Sequence, residues 1–154
     1  MRGDSRLSRM LHVLIHLDQS GEPMTSEFIG EMLGTNAVVV RRTMAGLRDH
    51  GHVQSVKGHG GGWTLARPLA EITLLDVYKA LEEPELFCFV PSKDHAECLV
   101  ERAVNDALMD TREAAERLML ERFAAIRLSD IARDFEGRMA QMKHRSGCGA
   151  PSTH

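Results

Sequence analysis

The chain lacks the features of membrane proteins, secreted proteins and most enzymes. Its 154 residues contain no apolar run long enough to span a bilayer and no signal-peptide pattern at the N-terminus. The three cysteines, an odd and widely spaced set, argue against a secreted disulfide scaffold. No nucleophile–base pair, paired catalytic carboxylates or complete metal-ligand set is visible. We therefore expect a cytoplasmic protein that is not an enzyme and does not enter membranes.

A general excess of positive charge is also lacking, because the net charge is −3. The charge is unevenly divided along the chain. Residues 1–67 hold eight Lys and Arg against six Asp and Glu, whereas residues 68–154 hold eleven against sixteen. Binding to phosphates depends on local basic surface more than on overall charge. The division is compatible with an N-terminal part that binds nucleic acid and a C-terminal part with another role.

Two short helical patterns, separated by a tight turn, lie between Thr25 and Gly51. Thr25 and Asn36 are the expected N-caps, since their side-chain oxygens can accept from amides of the first turn. The apolar period predicts that the first helix buries Phe28, Ile29, Met32 and Leu33, and that the second buries Ala37, Val40, Met44 and Leu47. Gly51 is suited to end the second helix. This order predicts a helix-turn-helix.

A β-hairpin wing is predicted after these helices. Residues 53–57 and 63–66 are β-prone runs, and the loop between them reads GHGGG. A phosphate-binding loop for nucleotides is the weaker alternative, because no Lys-Ser/Thr follows and the loop leads into a strand instead of a helix. A helix-turn-helix with a wing is suited to the DNA major groove.

The second helix and the wing supply the candidate DNA contacts. Small residues allow close approach, and arginines donate to phosphates or guanine edges. These candidates are Asn36, Val38, Val39, Arg41, Arg42 and Arg48 on the helix, with Lys57 and His59 on the wing. Two alternatives stay open: an amphipathic helix with a merely solvated basic face, and a winged helix that binds protein.

The remaining chain is predicted to be helical around one loop. A first helix covers residues 5–19, and Thr73 caps a helix that ends at Leu81. A helical pattern of ~25 residues, about 37 Å long, is too long for one small domain to cover, which predicts a homodimer. Ser129 is the expected cap of a last helix through Met139. The predicted divisions are a DNA-binding domain at 1–82, a loop at 83–97, dimerisation helices at 98–142 and a disordered tail at 143–154.

Together these motifs resemble the IscR/NsrR/CymR family of winged-helix transcription regulators (the Rrf-two family), and most of all its YwnA-like subgroup. The resemblance rests on TNAVVVRRTMAGLRDHG, VKGHGGGWTLARP and EITLLDVYKAL. It implies a homodimer, paired through the long helix, that binds a two-fold operator as a repressor. It also implies that Asn36, Val38, Val39 and Arg41 read bases and that Lys57 makes the wing contact.

The cysteines depart from the pattern of the cluster-binding family members. Those members carry three closely spaced cysteines before the long helix, whereas this loop has only Cys88 and Cys98. No complete iron–sulfur site is therefore expected. The resemblance leaves one alternative, in which His12 from a partner subunit joins Cys88 and Cys98 as an iron–sulfur or metal ligand.

Two other interpretations of the cysteines remain. Cys88, between two phenylalanines, can pack as a small apolar residue. Cys98, at the start of the long helix, can act as a thiol switch because the helix dipole favours its thiolate. His12 and His16 lie one turn apart, a spacing that can hold a metal, although a plain pair of surface histidines is the more common arrangement.

Overall fold

The computed structural model describes residues 4–95 and 97–147, and these fold into six α-helices and a two-stranded hairpin. The predicted class, mainly α with a small β-hairpin wing, is confirmed. In chain order the elements are α1 (Arg6–Ser20), α2 (Ser26–Leu33), α3 (Ala37–Asp49), β1 (Val53–Val56), β2 (Gly62–Leu65), a 3-10 turn (Leu69–Glu71), α4 (Leu74–Ala80), α5 (Leu99–Ala125) and α6 (Leu128–Gly147).

The predicted caps of α2, α3 and α4 are confirmed. The side-chain oxygens of Thr25 and Asn36 accept from the amides three residues further on, at 3.1 Å and 3.0 Å. Thr73 forms a reciprocal capping box with Asp76, in which the Thr73 hydroxyl accepts from the Asp76 N–H and the Asp76 carboxylate accepts from the Thr73 N–H. Gly51, just after α3, adopts a left-handed φ of 77° and ends that helix as predicted.

One apolar core joins α1, the helix-turn-helix, the wing, α4 and the start of α6. Its fully buried side chains each contribute roughly 1.5–3 kcal/mol relative to exposure. The largest of them are Leu14, Ile29, Met44, Leu47, Ile72 and Leu128. The predicted buried stripe of α3 is confirmed for Val40, Met44 and Leu47.

Phe28 on α2 was predicted to be buried, and this is wrong because 54% of it is exposed. Ile29, the next residue, is fully buried. Successive helical residues point about 100° apart, so only one of the two can face the centre of the core. The apolar period does not distinguish the two residues. The position of the neighbouring helices determines which of them is buried.

The wing is attached to the residues just before and at the start of α2. Strands β1 and β2 pair antiparallel, with Val53 opposite Leu65. Met24 and Trp63 exchange two backbone hydrogen bonds of 3.0 Å and 2.8 Å, and the Trp63 Nε1–H donates to the Ser26 hydroxyl at 2.9 Å in a buried position. These contacts fix the direction in which the hairpin projects from the helix-turn-helix.

Helix α6 returns to the core, which the sequence did not predict. The Leu128 N–H donates to the Ile72 carbonyl at 2.9 Å, and Leu128 and Ala132 belong to the core cluster. Residues predicted to belong to the dimerisation segment therefore also stabilise the core of the N-terminal part. The predicted cap is wrong, because α6 begins at Leu128 and already includes Ser129.

The helix also continues past its predicted end at Met139 to Gly147. The first part of the predicted disordered tail, residues 143–147, is therefore helical. The rest of that tail, residues 148–154, lies outside the described residues.

Helix α5 is long and poorly covered by its own chain. It starts at Leu99, with Cys98 as its N-cap, and none of its 27 residues is buried. One aromatic contact joins it to α4, where the Tyr78 and Phe123 rings lie 5.9 Å apart. No helix of the described residues is long and apolar enough to cross a membrane.

Candidate nucleic-acid interface

Helix α3 has two faces with opposite properties. Val40, Met44 and Leu47 are fully buried on the inner face, whereas Val38 and Val39 are 69% and 47% exposed. Exposed valines contribute no hydrophobic stabilisation to the fold, since their apolar surface remains in water. The inner face holds α3 rigidly against the core and leaves the outer face free for another molecule.

Close packing of α2 against the turn sets the angle between the two helices. A Cβ added to Gly30 would lie 2.7 Å from the Thr35 carbonyl oxygen, a distance that real Cβ atoms do not tolerate. The Thr35 N–H also donates to the Gly30 carbonyl at 2.8 Å. Glycine is therefore required here by the approach of the turn, and it helps to orient the outer face of α3.

Asn36 is exposed, but its side chain already has a structural role. Its Oδ1 accepts from the Val39 N–H at 3.0 Å and so caps α3. Its predicted base contact must therefore be compatible with this hydrogen bond, or must replace it.

The predicted arginines project from the outer side of α3 and are all exposed. Arg41 forms an ion pair with Glu27 of α2. Arg48 pairs with its neighbour Asp49 at 3.0 Å. Exposed ion pairs of this kind contribute little to stability, so the guanidinium groups can exchange their carboxylate partners for phosphates at small cost.

Arg42 lies beside a shallow cavity where α3 meets α4. The cavity has a volume of about 300 Å³, and Arg6 and Glu82 also line it. Arg6 is paired with Asp4 at 2.7 Å, and this contact raises the pKa of Arg6 and lowers that of Asp4. Arg42 thus adds a second cation near the N-terminal end of α1.

Lys57 and His59, the two wing candidates, are exposed in the glycine-rich loop. Lys57 directly follows β1, and His59 stands at the centre of the turn. Because the hairpin is tied to α2 through Trp63, these side chains are presented next to the helix-turn-helix by a fixed support.

The two described cysteines, Cys88 and Cys98, are both exposed. The packed interpretation of Cys88 is therefore wrong for the single chain, because the neighbouring phenylalanines do not enclose its thiol. Cys98 is the N-cap of α5, and its side chain makes no capping hydrogen bond. His12, the third candidate ligand, instead faces His16 on α1, with 2.9 Å between their Nε2 atoms.

Two features of this surface were missed by sequence reasoning. Glu27 was recognised only as a favourable first-turn residue, although it pairs with Arg41 across the two helices. The Ser26–Trp63 hydrogen bond joins residues 37 positions apart. No local sequence pattern indicates such pairs. A single Trp beside a glycine-rich loop does indicate that the wing packs against another part of the chain.

Comparison with known proteins gives a consistent result. A family model described as Rrf2, iron-dependent transcriptional regulator, matches residues 4–134. YwnA of Bacillus subtilis, described as an HTH-type transcriptional regulator, is 33% identical over 128 residues, which cover 83% of this chain and 95% of YwnA.

Solved structures share the fold. A transcriptional regulator from Lactobacillus plantarum superposes with a TM-score of 0.71 at 21% identity, covering 94% of this chain and 99% of that one. T. potens IscR gives a TM-score of 0.66 at 23% identity, covering 90% of each chain.

The description of the matching family model includes iron. Among residues 4–95 and 97–147, no group of three or more His, Cys, Asp and Glu side chains is arranged to hold a metal ion. The family match and the similarity to YwnA both indicate transcription regulation. The chain belongs to the Rrf2 family and is a DNA-binding transcription regulator, not an enzyme.

Proposed function

We propose that the protein reads a specific DNA site by placing the outer face of α3 in the major groove and the wing on the flanking backbone. The observation that carries this proposal is the contrast on α3 between exposed Val38 and Val39 and the fully buried residues on its other side. The exposed valines can contact thymine methyl groups, and Arg41 and Arg42 can donate to guanine or phosphate.

Selection from random-sequence duplexes tests this role. We expect wild-type protein to enrich one motif, with an affinity that falls steeply as salt rises because phosphate contacts release counterions. Val38→Glu should abolish the enrichment, since it places a carboxylate against DNA. The same variant should fold normally, because an acidic residue is favourable in the first turn of a helix. Val90→Glu is the matched control, since Val90 is also highly exposed and lies in the loop before α5.

Arg41→Ala distinguishes base reading from phosphate binding. Loss of a bidentate guanine contact should weaken binding to the selected site by ~1–3 kcal/mol and should spare random DNA. Equal losses on both duplexes would assign Arg41 to phosphate.

We further propose that the functional unit is a homodimer paired through α5. The helix extends about 40 Å, and its exposed apolar side chains include Leu99, Val100, Val104, Leu108 and Leu118. A second copy can cover this surface if the same residues of both chains face each other across a two-fold axis, which is the usual arrangement of a dimer. Two reading helices related by that symmetry suit a two-fold operator.

Sedimentation equilibrium tests the dimer. Wild-type protein should have twice the mass of one chain, and Val104→Glu or Leu108→Glu should shift it towards the monomer by burying a charge in the interface. Asp106→Asn changes charge by the same amount on the opposite side of α5 and should leave the dimer intact. An unchanged mass in the two Glu variants would remove α5 from the interface.

We propose repression as the regulatory outcome. A dimer seated on a promoter excludes polymerase without any further contact. Deletion of the gene should raise transcription of the genes that adjoin the selected sites, and a fall in their transcription would indicate activation.

Oxidation of Cys98 is a second candidate function, favoured by its exposed thiol at the N-terminus of α5. Peroxide would convert the Cys98 thiol to a sulfenic acid with water as the by-product, and this change would act on the proposed dimer helix. Peroxide should release DNA from the wild type and not from Cys98→Ser, whereas Cys88→Ser should keep the response if Cys98 reacts first. Visible absorption with bound iron in protein purified without air would instead support a cluster that includes Cys88, Cys98 and His12.

A further inference from the structure

His12 and His16 form a close pair on α1, away from the outer face of α3. Their Nε2 atoms are 2.9 Å apart, and their ring centroids are 4.6 Å apart at an angle of 53°. His12 is exposed and His16 is half-buried. The four-residue spacing places both rings on the same side of the helix, so both ring nitrogens can reach one point above the surface.

The distance between the nitrogens matches two neighbouring positions around a metal ion. Imidazole nitrogens bind divalent transition metals at ~2.0–2.1 Å, and two such bonds at a right angle separate the nitrogens by about 2.9 Å. A right angle is the angle between adjacent ligands in square-planar and octahedral complexes, which Cu²⁺ and Ni²⁺ prefer. A tetrahedral ion would require the nitrogens to move apart to about 3.4 Å.

We propose that His12 and His16 form a two-histidine site for a divalent late transition-metal ion, Ni²⁺ or Cu²⁺. When no metal is bound, one Nε2–H donates to the other Nε2. When the ion binds, both Nε2 lone pairs coordinate it and both ring protons reside on Nδ1.

The surroundings of the pair support this role. Burial, and then the charge of His12, lower the pKa of His16, which favours the neutral imidazole that a metal ion requires. The pair borders a groove of about 490 Å³ between α1 and α6. The groove is mostly apolar, and apart from the pair no described His, Cys, Asp or Glu lines it, so the two histidines are its metal-binding side chains.

Water would supply the other ligands of the ion. No third His, Cys, Asp or Glu joins the pair within the described part of one chain. The site is therefore open to solvent and exchangeable, which distinguishes it from a closed structural metal site. It also contains no thiolate, so it differs in ligand chemistry from any cluster held by Cys88 and Cys98.

Calorimetric titration of tag-free, metal-stripped protein with NiCl₂ and CuCl₂ tests the proposal. We expect one ion per chain, with Cu²⁺ bound more tightly than Ni²⁺. His12→Ala and His16→Ala should each weaken binding by at least about tenfold, since loss of a direct ligand should cost no less than loss of an outer-shell partner. His144→Ala, an exposed histidine on α6, is the control and should bind as the wild type does.

Two further readouts keep the result independent of folding defects. The Cu²⁺ spin-resonance spectrum should show coupling to two nitrogens in the wild type and to one in His12→Gln, a conservative change at an exposed position. Ni²⁺ should also raise the melting temperature of the wild type by bridging two turns of α1, and should not raise that of His12→Gln. Equal affinity in the wild type and both Ala variants, or no binding at millimolar metal, would overturn the proposal.

Discussion

The buried hydrogen bond between Trp63 and Ser26 should be the main side-chain link between the wing and the helix-turn-helix. The Trp63 Nε1–H donates to the Ser26 Oγ at 2.9 Å, and both residues are only 7% exposed. Ser26→Ala leaves the indole N–H buried without a partner, which should cost ~1–3 kcal/mol. Trp63→Phe should cost more, because it also removes packed volume.

The two substitutions should not be additive. In the Trp63→Phe background the Ser26 hydroxyl is already unpaired, so Ser26→Ala should then be nearly neutral or stabilising. The helix propensity of Ala is the same in both backgrounds and cancels from the comparison. The coupling energy should therefore be ~1–3 kcal/mol.

Urea unfolding followed by circular dichroism measures all four proteins of this cycle. Tryptophan fluorescence adds a local probe in the Ser26→Ala protein, since Trp63 is the single tryptophan of the chain. If Ser26→Ala costs the same free energy with and without Trp63, the hydrogen bond does not attach the wing and the reasoning is refuted.

Four other substitutions should have measurable effects. Glu27→Gln should strengthen binding to random DNA by up to about fivefold at low salt, as measured by fluorescence anisotropy, because it removes a negative charge beside α3 and frees an arginine. Gly30→Ala should lower the free energy of unfolding by ~1–3 kcal/mol, because its Cβ would meet the Thr35 carbonyl oxygen, whereas Gly137→Ala has open space and should stabilise α6 by ~0.5–1 kcal/mol. Burial lowers the pKa of His52 below its usual 6.5, so the unfolded chain binds a proton at a higher pH than the folded chain does. As the pH is lowered through 6.5, the free energy of unfolding should therefore decrease. The decrease should be smaller in His52→Gln.

The helix-turn-helix and wing were predictable because their determinants are local. Asn36 caps the helix that directly follows it, and the loop glycines mark the turn of the hairpin in which they lie. Each depends on residues within one or two turns. Cap chemistry and apolar period therefore carry enough information to locate them.

The features that escaped prediction depend on distant parts of the chain. Phe28 and Ile29 have similar sequence character, and only the packing of neighbouring helices leaves Phe28 in solvent. Leu128 enters the core through a backbone hydrogen bond to Ile72, 56 positions earlier. The Arg41–Glu27 pair was missed for the same reason, because it crosses from one helix to another.

Hydroxyl-radical footprinting on a duplex that carries the selected site tests the central claim most directly. A dimer that uses α3 and the wing of each chain should protect two equivalent patches, related by two-fold symmetry and centred about 34–36 Å apart or a multiple of that distance. Val38→Glu should erase both patches together. A single asymmetric patch, or uniform protection without sequence preference, would contradict the account.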